Sequence, residues 1–144
     1  MRRAQFSTMI FWQTPKPESI GVGEIILNAM AIYLTRFSYT PETWARLTKN
    51  PEDRSEAARK YVESVGGKLR GFWYALGEYD GYFLWDAPDQ ASMATVIIAI
   101  NSGGALSKCE TTLLLTIDET IQALGRAGSV GYKVPGATVT PSTG

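Results

Sequence analysis

The sequence predicts an α+β domain in which one antiparallel four-stranded sheet carries helices on a single face. Three observations support this: four short runs rich in β-branched and aromatic residues, two helix patterns that each end at a glycine pair, and a tight turn that joins the two middle runs into a hairpin. A chain of 144 residues is long enough for one hydrophobic core and short for two.

The first half of the domain is predicted as one strand and two helical segments. Residues 31–38 are rich in β-forming side chains, and a short helical turn follows over residues 40–47. Asn50 as an N-cap, with Pro51 at the first helical position, predicts a longer helix that ends at Val65, before a glycine pair. Apolar residues at helical spacing predict its buried stripe as Ala57, Ala58, Tyr61, Val62 and Val65.

The second half is predicted as a hairpin, a helix, a strand and a closing helix. From turn and capping signals, the strands cover residues 68–75, 79–85 and 108–115, and the helices cover residues 86–101 and 117–127. The longer helix is apolar around most of its circumference, so we expect it to be buried on more than one side. The order β-α-β-β-α-β, plus a short C-terminal helix, matches the ferredoxin-like plan of an antiparallel sheet with helices on one face.

Composition excludes several kinds of site. Histidine is absent, which excludes a serine–histidine–aspartate triad, an imidazole zinc site and a histidine-ligated haem. Cys109 is the only cysteine, so neither an intramolecular disulfide nor a cysteine metal cluster can form. The 14 basic and 14 acidic residues cancel, which leaves no net field for nucleic acid or an anionic membrane. We expect no cofactor, no bound metal, and neither nucleic acid nor membrane as a partner.

The domain is predicted to cover residues 30–127, with segments outside it at both ends. Residues 1–29 begin with two arginines and an apolar run, but polar residues interrupt this run and prolines follow it, which argues against a secretory signal. We interpret the segment as a flexible extension, or as upstream sequence counted in by a misplaced start before Met30. Residues 128–144 are rich in glycine, proline, serine and threonine and are interpreted as a loose tail. The single cysteine is compatible with a cytoplasmic location.

The predicted hairpin is rich in aromatic residues, seven of which fall between residues 72 and 85. Because successive strand side chains point to opposite faces, both faces of the hairpin are apolar. On the first strand of the hairpin, Phe72 and Tyr74 are predicted on one face and Leu69, Gly71 and Trp73 on the other. On the second strand, Tyr82 and Leu84 are predicted on one face and Phe83 and Trp85 on the other.

Helices on one face of the sheet would leave the other apolar face in water. Such a patch exceeds what soluble monomers usually expose, and most oligomers are symmetric dimers. We therefore predict that the partner of this face is a second copy of the chain, in a homodimer or an assembly of dimers. The alternative is that the N-terminal extension or the tail of the same chain folds over it.

An RNA-recognition module shares this element order and an aromatic sheet face. Residues 70–74 partly match its motif of a basic residue, a glycine and aromatic residues. The match fails at Trp73, Ala75 and Gly77, and the segment lies on the second strand, whereas the motif belongs on the third. Because the chain also lacks net positive charge, RNA binding is the weaker interpretation.

Segments spread along the domain resemble the GYD domain family. They are residues 39–41, 51–54, 66–69, 72–74, 77–80, 87–89, 111–114 and 123–127. The resemblance covers about residues 31–135, and Gly77, Tyr79 and Asp80 correspond to the motif that names the family, with Glu78 inserted in the run. It implies a ferredoxin-like fold of the dimeric α/β-barrel type, and it implies little about activity.

Arg54 is the most informative charged residue, because it lies on the helix stripe that faces the sheet. A buried guanidinium needs carboxylate or carbonyl partners, and Asp80 is the expected partner, with Asp86 and Glu78 as alternatives. In this position Arg54 is a candidate for ligand binding. The alternative is a structural ion pair, or a side chain that extends to solvent from the first helical turn.

Tyr79 and Asp80 are the candidates for catalysis and, together with Arg36, Arg54 and Trp73, for ligand binding. In a pocket between sheet and helices, Tyr79 would act as a hydrogen-bond donor or weak acid and Asp80 as a base. The alternative assigns both to the hairpin itself, where Asp80 accepts backbone N–H groups and Tyr79 packs across strands. Arg36 would either bind an anionic group or face solvent at a strand end.

Three functions are compatible with these residues. The first, which we favour, is an oligomeric small-molecule-binding protein whose aromatic pocket holds a planar or apolar metabolite. The second is a cofactor-independent enzyme of the dimeric-barrel type, an oxygenase or isomerase acting on a small carbon acid. The third is a structural or interaction protein without a pocket. A cavity with convergent polar groups would separate the first two from the third.

Overall fold

The structure, a computed structural model, describes residues 30–136. Its elements are β1 (Ala31–Tyr39), α1 (Pro41–Lys49), α2 (Arg54–Ser64), β2 (Lys68–Tyr74), β3 (Gly81–Ala87), α3 (Gln90–Ser102), β4 (Leu106–Leu114) and α4 (Ile117–Ala127). The strands form one antiparallel sheet in the order β2-β3-β1-β4, which confirms the predicted ferredoxin-like α+β fold. The predictions for residues 1–29 and for the end of the tail, residues 137–144, lie outside the described residues.

The boundary between α1 and α2 differs from the sequence prediction. Asn50 is the C-terminal cap of α1 and not, as predicted, the N-cap of the next helix. A residue before proline is disfavoured in the helical conformation, so α1 stops ahead of Pro51. α2 then starts at Arg54, and Asp53 is its N-cap, because the Asp53 carboxylate accepts the Ser55 N–H at 2.8 Å.

The turn from α2 into β2 depends on a glycine pair. Gly66 has a φ of 78°, in the left-handed region that side chains other than glycine rarely adopt. A Cβ atom on Gly67 would collide with the carbonyl oxygen of Asp86 and with the side chain of Val62. The pair therefore ends α2, as predicted, and also allows the chain to pass close to β3.

The helices cover one face of the sheet, called here the helix face. Its strand side chains are Tyr33, Thr35, Phe37 and Tyr39 of β1, Leu69 and Phe72 of β2, and Phe83, Trp85 and Ala87 of β3. Ala58 and Val62 of α2 and Val96 of α3 close over them. Trp85 is fully buried, and its indole N–H donates a hydrogen bond to the Thr35 hydroxyl at 3.0 Å.

A β-bulge in β2 changes one predicted face assignment. The pairing of β2 with β3 shifts between Leu69 and Gly71, so Arg70 is an extra residue in the strand. Leu69 lies opposite Trp85, and it is buried on the helix face together with Phe72. The prediction that placed Leu69 on the opposite face from Phe72 is wrong, because the alternation of side chains breaks at the bulge.

The opposite face of the sheet, called here the open face, carries no helix among the described residues. Its side chains are Ile32, Leu34 and Arg36 of β1, Trp73 of β2, Tyr82, Leu84 and Asp86 of β3, and Glu110, Thr112 and Leu114 of β4. The Trp73 side chain is 55% exposed, and its ring lies across Gly71. Within the described part of the chain, the hairpin is therefore apolar on both faces and covered by helices on one.

α3 and α4 expose aliphatic side chains. α3 buries only Val96, and Ile98 is 67% exposed, so the expected burial of this helix on more than one side is wrong. α3 packs on β3 and β4 with one side and presents the other to solvent. α4 opens with the predicted capping box between Thr116 and Glu119, and none of its side chains is buried against the described residues.

We predict that the hydroxyl of Thr35 stabilises the core through the Trp85 indole. Thr35→Val keeps the side-chain shape but leaves a fully buried N–H without an acceptor, which costs about 1–3 kcal/mol of the free energy of unfolding. Urea titration measures this loss. Thr112→Val is the matched control, because it makes the same change at an exposed position of β4 and leaves the hydrogen bonds of Thr35 intact. A control variant as unstable as Thr35→Val would contradict the assignment.

Candidate functional site

A cleft opens on the helix face between α2 and α3, with a volume of about 280 Å³. β1, β2 and β3 supply its floor, α2 one wall, and α3 with the start of β4 the other. The lining residues are Phe37, Tyr39, Arg54, Ala58, Tyr61, Phe72, Phe83, Ala99, Ile100, Gly103, Ala105 and Leu106. Small-molecule sites commonly have volumes of about 300–1,000 Å³ and mostly apolar linings, so this cleft suits a small ligand.

The floor of the cleft is a set of three phenylalanine rings from three adjacent strands. Phe72 and Phe83 stack at 6.1 Å between ring centroids with an interplanar angle of 12°. Phe37 tilts against both, at 5.5 Å from Phe72 and 6.2 Å from Phe83. Because these rings pack against one another, they give the cleft a fixed apolar surface that suits a planar molecule.

The cleft exists because the facing helix positions carry small side chains. Ala58 of α2 and Ala99 of α3 both line it, and a larger residue at either position would fill the space between the helices. Tyr61, predicted as part of the buried stripe of α2, is instead exposed at the rim. Sequence periodicity marks Ala58 only as a core position, so it does not distinguish a packed helix interface from a cleft.

One end of the cleft is polar. Arg54 lies there, and its Nη1 donates to the Glu52 carboxylate at 2.8 Å. The predicted partner Asp80 is wrong: Arg54, the first residue of α2, pairs with Glu52 of the preceding loop. Tyr39 lines the same end; burial, together with a hydrogen bond to Tyr74, raises the pKa of its hydroxyl, which therefore stays protonated at neutral pH.

Asp80 lies outside the cleft and holds the hairpin loop to the end of β1. Its Oδ2 accepts the Tyr39 N–H at 2.8 Å and the Trp44 indole N–H at 3.1 Å. Its own N–H donates to the Phe37 carbonyl at 2.9 Å. This geometry agrees with the alternative prediction, in which Asp80 accepts a backbone N–H group. The proposed role of Asp80 as a base in a pocket between sheet and helices has no support in this placement.

Tyr79 and Arg36 lie together at the open face, so the prediction of Tyr79 between sheet and helices is wrong. The Tyr79 ring is buried between two cations, with the Arg36 guanidinium 4.7 Å and the Lys108 ammonium 4.4 Å from its centroid. Arg36 also pairs with Glu110 at 2.7 Å. A hydrogen bond with the Tyr79 hydroxyl is the main cause that lowers the pKa of Glu110, and Arg36 adds to this effect. A hydrogen bond with the same hydroxyl is the main cause that raises the pKa of Lys108, and Glu78 adds to it.

The predicted ligand-binding residues therefore fall into three places. Arg54 reaches the cleft, Arg36, Tyr79 and Trp73 lie at the open face, and Asp80 braces a loop. Sequence analysis missed the phenylalanine floor, because it treated the hairpin aromatics as a surface for a partner. Phe37 in particular carries no local signal beyond strand alternation.

Other chemistry is limited in the described part of the chain. No group of three or more aspartate, glutamate or cysteine side chains in residues 30–136 is arranged to hold a metal ion. Cys109 is half-buried, and this burial raises the pKa of its thiol, which disfavours the reactive thiolate. None of the helices in this range has the length and apolar character that a membrane crossing requires.

The fold and the cleft define a single ferredoxin-like domain with an apolar hollow under its helices. The GYD domain family matches residues 33–124, more than half of the chain, and the chain belongs to this family. The resemblance noted from the sequence is thereby confirmed. No protein of curated function matches the sequence.

Several solved structures resemble the chain in fold. A NIPSNAP-like domain protein from Burkholderia xenovorans is 16% identical, with a TM-score of 0.38 over 62% of this chain and 86% of that one. An AsnC family transcriptional regulator from Agrobacterium tumefaciens is 12% identical, with a TM-score of 0.45 over 80% of this chain and 60% of the regulator, less than two thirds of its length. The 30S ribosomal protein S6 from Thermotoga maritima is 14% identical, with a TM-score of 0.45 over 67% of this chain and 99% of the ribosomal protein. Likenesses at this level carry no information about ligands or partners.

We predict that Asp80 acts on stability. Asp80→Ala removes the acceptor of two N–H groups, one of them at the end of the central strand β1, and costs about 1.5–3 kcal/mol in free energy of unfolding. Asp80→Asn keeps an acceptor oxygen and loses less. Glu78→Ala, in the same loop, is the control and changes stability little. If Asp80→Ala and Glu78→Ala unfold at the same urea concentration, Asp80 does not brace the loop.

Proposed function

We propose that this protein binds a small planar or apolar molecule in the cleft between α2, α3 and the sheet. The observation that carries the proposal is the phenylalanine floor facing open space of about 280 Å³. Protein interiors are close-packed, and side chains next to an unfilled space lose dispersion contacts, so an apolar hollow of this size destabilises the core. A flat ligand stacked on Phe72 and Phe83 would restore those contacts.

Binding is favoured over catalysis by the side chains that line the cleft. Its polar groups are the hydroxyls of Tyr39 and Tyr61 and the guanidinium of Arg54. The described residues that line it include no carboxylate, so the cleft itself offers no general base. Asp80, the candidate base from the sequence, does not line the cleft, and its Oδ2 accepts the Tyr39 and Trp44 N–H groups. A binding role needs only the groups that are there.

The same proposal includes a homodimer formed through the open face. Trp73 is exposed there next to the half-buried Tyr82 and Leu84, and the described residues supply no cover. Arg36 of this face pairs with Glu110 at 2.7 Å, and Arg70 pairs with Asp86 at 2.9 Å. Lys68, opposite Asp86, forms no ion pair within residues 30–136.

Because most charges of the face are paired within one chain, the face can meet its own copy with little like-charge repulsion, which favours a two-fold symmetric interface. A partner of different chemistry would usually be selected by an unbalanced charge pattern, and the pairing of Arg36 and Arg70 leaves little of one. The identical chain is therefore the occupant we propose for the open face.

The cleft is tested with a neutral aromatic probe. Naphthylmethanol is expected to bind the full-length protein, as measured by isothermal titration calorimetry. Ala99→Phe places a ring in the cleft and is expected to weaken binding at least tenfold, about 1.4 kcal/mol. Ala91→Phe adds the same ring at an exposed position of the same helix and leaves binding unchanged. Equal affinity in the two folded variants would exclude the cleft as the binding site.

The dimer is tested by light scattering coupled to size exclusion at micromolar concentration. The protein is expected to elute with twice its chain mass, and Trp73→Glu, which puts a charge on the edge strand β2 of the open face, to elute as a monomer. Ile98→Glu changes an apolar residue that is at least as exposed, on the helix side of the molecule, and leaves the dimer intact. A wild-type monomer, or a monomer produced by Ile98→Glu alone, would contradict an open-face dimer.

A further inference from the structure

The cleft does not end at Arg54. A second hollow, also of about 280 Å³, adjoins it and is lined by Tyr39, Thr43, Arg46, Leu47, Asn50, Glu52, Arg54 and Ala105. Tyr39, Arg54 and Ala105 belong to both linings. The two hollows therefore share a wall, and the Arg54 guanidinium lies where they meet.

The two hollows differ in chemistry. The first is walled by phenylalanine, alanine and isoleucine side chains, with Arg54 as its one charged group among the described residues. The second is polar and contains two guanidinium groups, Arg46 and Arg54, against the single carboxylate of Glu52. Together they form a groove that is apolar at one end and carries an excess of positive charge at the other.

Both guanidinium groups can bind an anion without breaking a strong interaction within the described residues. Arg46 donates from Nη2 to the Thr43 hydroxyl at 3.2 Å and forms no ion pair within residues 30–136. Arg54 pairs with Glu52, whose side chain is 57% exposed. Exposed ion pairs contribute little, so a ligand carboxylate can displace the Glu52 side chain into water.

We propose that the ligand is an amphipathic anion, with a planar or apolar body on the phenylalanine floor and a carboxylate held by Arg54 and Arg46. This inference rests on the proposed binding function and specifies its ligand class. Glu52 competes with the ligand for Arg54 and so weakens the binding of anions.

The experiment compares two probes of the same shape, naphthoate and naphthylmethanol, on the full-length protein by calorimetry at neutral pH. Naphthoate is expected to bind at least tenfold more tightly, because only the carboxylate uses the guanidinium groups. Arg54→Gln is expected to remove most of that preference for naphthoate over naphthylmethanol. Glu52→Gln is expected to raise naphthoate affinity severalfold, without effect on naphthylmethanol.

Matched controls separate a local effect from a change in overall charge. Arg59→Gln removes a cation from the exposed side of α2, where Arg59 pairs with Glu56, and Glu42→Gln removes an exposed carboxylate of α1. Neither is expected to change either affinity. Should Arg54→Gln fail to fold, the rise in naphthoate affinity in Glu52→Gln, measured against Glu42→Gln, decides the matter.

Two results would overturn the inference in distinguishable ways. Equal affinity of the two probes, with Glu52→Gln indifferent to both, would show that the cleft binds neutral molecules and that the carboxylate site is wrong. Binding of neither probe would remove the proposed binding function together with its ligand class.

Discussion

The contact between the helices and the aromatic side chains of the sheet determines the rest of the structure. α2 packs on β2 and β3, and α3 packs on β3 and β4, so the two helices stand apart over the middle of the sheet. The strip between them is floored by the rings of Phe37, Phe72 and Phe83. With alanine at positions 58 and 99, the helix walls are too short to fill the gap. Spacing of the helices and smallness of these two side chains together produce the cleft.

The same arrangement separates the two faces of the sheet by role. The helix face carries the buried core and the cleft, with its cations at one end. The open face carries paired charges around Tyr79 and an exposed tryptophan, which suits contact with another protein surface more than contact with a small ligand. If both proposals hold, the interface and the ligand lie on opposite sides of one sheet.

Much of the fold is predictable from the sequence, because strand alternation, glycine stops and capping residues are local signals. The four strands, their order along the chain and the capping box at Thr116 all follow from them. The start of α2 does not follow from local signals, because Asn50 and Asp53 are both suitable N-cap residues. The face of Leu69 does not follow either, because it depends on the bulge in β2. The site is predictable only at Arg54. A cleft depends on the distance between helices that are far apart in sequence, and the choice of Glu52 over Asp80 as ion-pair partner depends on loop geometry.

Methyl NMR of the protein titrated with naphthoate tests most directly whether a ligand binds in the cleft. We expect chemical-shift changes at the methyl groups of Ala58, Ala99 and Ile100, which line the cleft. We expect no change at Ile32, Leu34 and Leu84, which lie on the other side of the sheet. Shifts confined to the second set would place the ligand on the open face and contradict the account.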